Sequence, residues 1–243
     1  MNGRRLLVAA VLLLAIAGCT GAPPVSTVPP PLATPTPNPS MAERSLAIEA
    51  IAHLGEKAKD PARSFRVDQE SLVTLATFEL EATSRVDVAG EDFSADGKIH
   101  GEGLGTARYS AVAVGSRMWA RVDKQPWKRQ RADQRLGIDI VEVFGPITEA
   151  RHLAFVKTEK LGSQEVLHLR NIEPIPYRIN RLYPDTVTGS ITNLDVYVLA
   201  DGTPIRIDYT SSAQYPALHV RITTDNVLRF SRWGRKVTIK PPI

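Results

Sequence analysis

Alternation of apolar and polar residues with a period of two is the feature of this 243-residue chain that most restricts its fold. In residues 78–88, for example, Leu80, Ala82 and Val86 alternate with polar or charged side chains. Successive side chains of a β-strand point to opposite faces, so the pattern predicts a strand with one apolar and one solvated face. Similar stretches recur almost to the C-terminus, and the chain is therefore predicted to be mostly β.

Short glycine-containing turns join the predicted strands. Gly115-Ser116, Gly162-Ser163 and Asp201-Gly202 each separate two strand-like stretches, and Asp96-Gly97 is predicted to be a further hairpin turn. Connections this short favour antiparallel hairpins, because a parallel crossover needs a dozen or more residues. Roughly ten strands in one sheet should curl strongly or close. The predicted fold class is α+β: a strongly curved antiparallel sheet, half or incomplete β-barrel, with helices covering its concave side.

Two helices are predicted to supply that cover. Residues 40–59 begin with Ser40 and Glu43, which match a capping box, and continue with an apolar stripe at helical spacing until Pro61. Residues 137–144 form a shorter helical pattern, and residues 177–182 are predicted to be a short helical lid element. Too few helices are present to cover both faces of a large sheet, so they must lie on one side.

The N-terminal segment predicts export and a lipid anchor. Arg4 and Arg5 precede an uncharged run, residues 6–17, which is shorter than the roughly twenty apolar residues of a membrane-spanning helix. The following small residues lead to Cys19, the single cysteine of the chain, and residues 16–19 resemble the bacterial lipobox. The resemblance implies a signal peptide at residues 1–18 and acylation of Cys19. An ordinary secretory signal with an incidental cysteine is the alternative.

Two acyl chains on Cys19 would hold the mature protein on a membrane surface, so we expect a lipid-anchored protein on the extracytoplasmic side of the cell membrane. Residues 19–40 are a proline-rich linker that cannot bury a core, and residues 41–243 form the folded domain. Without Arg4 and Arg5, 28 basic residues stand against 26 acidic ones. This balance, together with export, argues against a nucleic-acid partner.

Residues that could carry chemistry are scattered. No G-x-S-x-G, H-E-x-x-H or glycine-rich phosphate loop is present, so we expect no enzyme, catalytic residue, metal or cofactor. His168 and His219 fall in predicted strands and could meet across the sheet. Basic residues form two clusters that are either a solvated face or a rim for anionic lipid head groups: Lys124, Lys128, Arg129, Arg131, Arg178 and Arg181.

Three segments carry a resemblance to a known family. They are the strand pair 112–121 leading to Trp127, the strand–Asp-Gly–strand hairpin 194–207, and the C-terminal segment 230–242. In this order, after a lipobox-like segment, they resemble the LolA/LolB-like lipoprotein carriers, and in particular the mycobacterial-type LppX/LprA/LprF/LprG lipoproteins. The likeness covers residues 43–243. It implies an open or half β-barrel whose hollow binds the acyl chains of a lipid or lipoglycan, although the charged second half leaves the lipid undefined.

Apolar strand residues are the candidates for lining that hollow, or alternatively for packing against the helices. These lipid-binding candidates are Phe78, Leu80, Val86, Met118, Leu153, Phe155, Val196, Val198, Ile205 and Ile207. The expected function is a membrane-anchored envelope lipoprotein that carries or presents a lipid, with a transporter as a possible partner. The alternatives are an interaction, chaperone or sensor lipoprotein that uses the sheet as a docking surface, and an envelope hydrolase.

Overall fold

The computed structural model describes one helix and twelve strands. Cys19, the signal peptide, the proline-rich linker and the predicted helix at residues 137–144 lie outside the described residues. The described residues are 40–60, 62–75, 78–130, 153–179, 187–215 and 220–242.

Helix α1, Met41–Lys59, begins where the capping box predicts. The backbone N–H of Glu43 donates to Ser40 Oγ over 3.2 Å, and the Glu43 carboxylate accepts from the Ser40 backbone N–H over 2.8 Å. These bonds satisfy two N–H groups that lack partners within the helix. The buried face of the helix consists of Ala47, Ala50, Ile51 and Leu54.

The strands form one antiparallel sheet in the order β6-β5-β4-β3-β2-β1-β12-β11-β10-β8-β7, with β9 pairing with β10. Their bounds are β1 Ser64–Leu75, β2 Phe78–Ala89, β3 Asp92–Gly101, β4 Gly105–Val114, β5 Arg117–Val122, β6 Lys128–Gln130, β7 Leu153–Leu161, β8 Gln164–Asn171, β9 Ile175–Ile179, β10 Val187–Val198, β11 Pro204–Tyr215 and β12 Val220–Ser231.

Among the described residues the sheet is open rather than closed into a barrel. Strands β6 and β7 are its edges, and within the described ranges no pairing joins them. The described residues contain twelve strands, where about ten were predicted, and β6 and β9 were not among the predicted strands. The predicted helical lid is wrong at residues 177–179, which belong to β9 and pair with β10, and residues 180–182 lie outside the described residues. One described helix, rather than two, lies on the sheet.

The turn predicted at Asp96-Gly97 is also wrong, because both residues lie inside β3. Gly97 pairs with Ser84 on one side and with Tyr109 on the other. A Cβ at position 97 would lie 2.5 Å from Tyr109 Cζ and 2.5 Å from the Thr83 carbonyl oxygen. The glycine therefore makes room for a tyrosine ring across the strand pair, a packing requirement that local sequence does not distinguish from a turn.

The main hydrophobic core lies on the face of the sheet that α1 covers, here called the helix-side face. The buried side chains of α1 belong to the same cluster as Phe65, Val86 and Val196. Trp233, beyond β12, closes this core by stacking on Phe65 with ring centroids 4.4 Å apart. The other side of the sheet, here called the opposite face, carries mostly charged and hydroxyl side chains.

Candidate functional site

Nine of the ten predicted lipid-binding residues lie on the helix-side face, as strand register and alternation show. The tenth, Ile205, lies at a register shift between β10 and β11, so register does not assign it to a face. Phe155 and Ile205 are half-buried, and Phe78 is 55% exposed at the start of β2. The other seven are buried: Leu80, Val86, Met118, Leu153, Val196, Val198 and Ile207.

Most of these candidates pack in the main core. Phe155 packs against the core cluster that α1 joins, and the candidates inside that cluster are Val86, Met118, Leu153, Val196, Val198 and Ile207. These residues therefore belong to the same buried cluster as the apolar side chains of α1. Contact between these residues and a lipid stays a prediction.

A second group of apolar side chains lies on the same face, farther along the strands. This distal patch is buried but is separate from the core cluster that contains α1. Strand register aligns it across the sheet, since Val73 lies opposite Leu80 and Ala82 lies opposite Ile99. The patch consists of Val73, Leu80, Ala82, Ile99 and Ile222.

Two of the ten candidates belong to this region: Leu80 within the distal patch and Phe78 at its end, opposite Leu75. Leu80 also lies over a strand glycine, because a Cβ at Gly101 would meet Leu80 Cδ2 at 2.5 Å. Sequence reasoning did not select Val73, Ile99 or Ile222 as site residues. The sequence pattern shows that each lies on the apolar face of its strand, but their alignment with Leu80 depends on which strands pair.

A row of polar side chains separates the main core from the distal patch. We call this row the polar belt, and its members are Gln69, Ser71, Ser84, Tyr109 and Asn226. Ser71 Oγ donates to Asn226 Oδ1 over 2.7 Å, and Gln69 Nε2 donates to Ser71 Oγ over 2.9 Å. Burial raises the pKa of Tyr109, while a hydrogen bond with Ser84 acts in the opposite direction. Hydrogen bonds within the belt offset the cost of removing these polar groups from water.

Ser211 extends this polar character next to the distal patch. It lies opposite Thr224, which in turn lies opposite Val73. The Ser211 side chain is fully buried, and its Oγ has no hydrogen-bond partner among the described residues. The helix-side face therefore carries a second apolar region, whose side chains are buried and which polar groups border.

On the opposite face, His168 belongs to a charge cluster. His219 lies outside the described residues, so a meeting of the two histidines stays a prediction. His168 Nε2 is 2.5 Å from Asp195 Oδ1, and its Nδ1 is 3.0 Å from Glu159 Oε1. The buried imidazole stacks on Tyr197 at 4.5 Å between centroids, and Arg170 Nε donates to Asp195 over 2.7 Å.

This cluster lowers the pKa of Asp195. Burial by itself raises the pKa of that carboxyl, but hydrogen bonds from His168 and Arg170 stabilise the carboxylate and outweigh burial. Burial and the neighbouring carboxylates raise the pKa of Tyr197. In the part of the chain that the structure describes, no group of three or more His, Cys, Asp or Glu residues could hold a metal ion.

A groove of about 570 Å³ runs across strands β2, β1, β12, β11 and β10. Most of its lining side chains belong to the opposite face by register. Several are carboxylates: Glu70, Glu81, Asp195, Asp208 and Asp225. Arg229 pairs with Glu70 and Arg206 with Asp208, each over 2.7 Å. Carboxylates therefore border this groove, and two of them are paired with arginines.

Comparison with solved structures found similarity to a lipoprotein, a LolA superfamily protein and a lipoprotein-sorting domain. The lipoprotein LppX of Mycobacterium tuberculosis is 11% identical with a TM-score of 0.42, and the match covers 80% of this chain and 98% of LppX. A LolA superfamily protein of Nitrosomonas europaea is 11% identical with a TM-score of 0.32, covering 79% and 94% of the two chains. A putative outer membrane lipoprotein-sorting protein domain of Vibrio parahaemolyticus is 9% identical with a TM-score of 0.32, covering 79% and 93%.

These proteins are of the kinds that the sequence resemblance names. The identities and TM-scores are too low for the likeness to extend to a ligand or an activity. No protein-family model and no curated protein sequence matches this chain. Within the described residues, no helix is both long enough and apolar enough to cross a membrane.

Proposed function

We propose that this protein is an envelope lipoprotein that binds the acyl chains of a lipid or lipoglycan over the distal patch and carries or presents it. The predicted signal peptide at residues 1–18 directs export, acylated Cys19 anchors the chain on the extracytoplasmic side of the membrane, and residues 19–40 are the spacer. The protein performs no catalytic step in this proposal. A transporter that delivers or accepts the lipid is the expected partner.

The observation that carries the proposal is the division of the helix-side face into two apolar regions. The first forms the core cluster with α1, whereas the distal patch lies beyond the polar belt and outside that cluster. An acyl chain of fourteen methylenes buried there would gain about 0.8 kcal/mol for each methylene. That gain must exceed the cost of opening the patch, whose side chains are buried, and the polar belt would accept the polar end of the molecule.

Native mass spectrometry of the full chain, extracted gently from its own membranes, tests this proposal. We expect an adduct with the mass of an acyl lipid that disappears under denaturing extraction. The absence of any adduct, together with an interior that side chains fill completely, would contradict the carrier function and favour the interaction-protein alternative.

A pair of matched variants tests whether the ligand binds on the helix-side face. Ala82→Phe adds a ring within the distal patch, whereas Thr83→Phe adds the same ring on the opposite face of the same strand. We expect Ala82→Phe to reduce the lipid adduct severalfold and Thr83→Phe to leave it unchanged, with circular dichroism confirming that both variants fold. Equal adduct in both variants would exclude the distal patch.

A further inference from the structure

One edge of the sheet carries a concentration of exposed positive charge. Residues 105–130, which contain β4, β5 and β6, include six basic residues and a single acidic residue, Asp123. All six basic side chains are exposed: Arg108, Arg117, Arg121, Lys124, Lys128 and Arg129. Residues 19–243 contain 28 basic and 26 acidic residues. Without these six basic residues and Asp123, 22 basic residues stand against 25 acidic ones. The rest of residues 19–243 therefore carries a small net negative charge, although residues 229–240 also hold five basic residues and no acidic one.

Strand register brings the arginines of this segment onto the opposite face. Arg117 lies opposite Val114, Arg121 opposite Ser110, and Arg129 opposite Trp119. Two carboxylates lie beside these cations. Asp123 accepts a hydrogen bond from the backbone N–H of Arg108 over 2.8 Å at the turn after β5, and Asp96 of β3 accepts one over 2.6 Å from Ser110, to which Arg121 donates over 3.3 Å. The basic residues still outnumber them. We call this surface, with its basic residues and Trp119 and Trp127, the edge patch.

Two tryptophans lie among these cations. The guanidinium of Arg121 is 4.7 Å from the centroid of the Trp127 ring, a cation–π contact. Trp119 lies between Val112 and Arg129 across the strands, and both indoles are half-buried. Tryptophan rings are enriched where a membrane meets water, because they present an apolar body and a polar N–H. Cations beside them attract the anionic head groups of that same layer.

We propose that the edge patch docks the sheet onto the anionic head groups of a lipid bilayer. The cations contact phosphates, and Trp119 and Trp127 lie at the level of the head groups. Docking by this edge is independent of whether the distal patch holds a lipid. Its partner is the membrane surface itself, rather than a nucleic acid or an acidic protein.

Tryptophan quenching by bilayer lipids tests this proposal in the full chain. The protein is mixed with phosphatidylcholine vesicles, with or without phosphatidylglycerol, that contain lipids brominated near the head group. We expect stronger quenching when phosphatidylglycerol is present, and a loss of that difference in concentrated salt, which screens exposed charges. Trp119→Phe with Trp127→Phe should abolish the difference, since Trp233 is packed against Phe65.

Matched charge reversals distinguish binding by the edge patch from a general effect of the net charge of the protein. Arg117→Glu, Arg121→Glu and Arg129→Glu together should reduce quenching on phosphatidylglycerol to the level on phosphatidylcholine alone. The control triple, Arg235→Glu, Lys236→Glu and Lys240→Glu, changes three exposed cations elsewhere and should preserve the difference. Equal effects of the two triple variants would overturn the proposal. So would quenching that does not depend on phosphatidylglycerol, or binding to RNA in the absence of such quenching.

Discussion

Gly97 illustrates at the residue scale how a glycine can serve packing rather than a turn. We predict that Gly97→Ala lowers the free energy of unfolding by about 1–3 kcal/mol, because the new methyl must displace Tyr109 or the Thr83 carbonyl. Urea denaturation monitored by circular dichroism measures the loss. The control is Ser94→Ala on the same strand, which adds no atoms, and a Gly97→Ala variant as stable as that control would contradict the packing account.

Asp195 makes a second residue-scale prediction, on pH dependence. Because the native pKa of Asp195 is lowered, its contribution to stability is complete above the unfolded pKa of about 3.9 and is lost as the pH falls through the native pKa. Wild type should therefore be more stable than Asp195→Asn at neutral pH, by about 1–3 kcal/mol through its charged hydrogen bonds. Below about pH 4 the difference should shrink.

Thermal unfolding across this pH range provides the measurement, with Glu91→Gln as a control in an exposed turn. Glu91→Gln should change stability little at any of these pH values. A difference between wild type and Asp195→Asn that does not depend on pH would show that the carboxylate charge contributes nothing to the cluster with His168 and Arg170.

At the scale of secondary-structure elements, the position of α1 depends on the hairpin between β10 and β11. Gly202 in that turn has φ of +76°, and a Cβ there would lie 2.5 Å from the Leu54 backbone nitrogen and 2.6 Å from the Ala50 carbonyl oxygen. The backbone of the turn thus contacts the backbone of the helix. Lys57 strengthens the contact through an exposed ion pair with Asp201 over 3.1 Å.

A glycine pair isolates this helix–hairpin contact. Gly202→Ala and Gly162→Ala both place alanine at positive φ in a hairpin turn, which costs about 1–2 kcal/mol. Only Gly202→Ala also meets the helix, because nothing lies within 4 Å of a Cβ at position 162. We expect Gly202→Ala to be the more destabilising by about 1–3 kcal/mol in urea denaturation. Equal losses would show that the turn and α1 can separate without cost.

At the scale of the whole molecule, the membrane anchor depends on one side chain. We predict that Cys19→Ser releases the protein into solution or leaves it unprocessed, because serine cannot carry the thioether-linked lipid that holds two acyl chains in the membrane. Membrane fractionation and the intact mass of the protein measure both outcomes. If membrane fractionation and mass were both unchanged, Cys19 would not be the site of a lipid anchor.

The sequence predicted local structure well wherever neighbouring residues decide it. The capping box set the start of α1, and period-two alternation identified most strands and which face of each is apolar. The turns at Gly115, Gly162 and Gly202 were predicted correctly, since each has a positive φ that glycine adopts easily. Those same local rules misread Asp96-Gly97 and residues 177–179, where pairing with another strand overrides the local signal.

What the tertiary structure alone decided is how the apolar face is divided. Alternation places Val73, Leu80, Ile99 and Ile222 on one face of their strands, but only strand register aligns them as the distal patch. The polar belt likewise brings Ser71 to Asn226 across 155 positions of sequence. Local patterns record which side of a strand avoids water, whereas the partners across the sheet follow from pairing between residues far apart in the chain, which no local pattern contains.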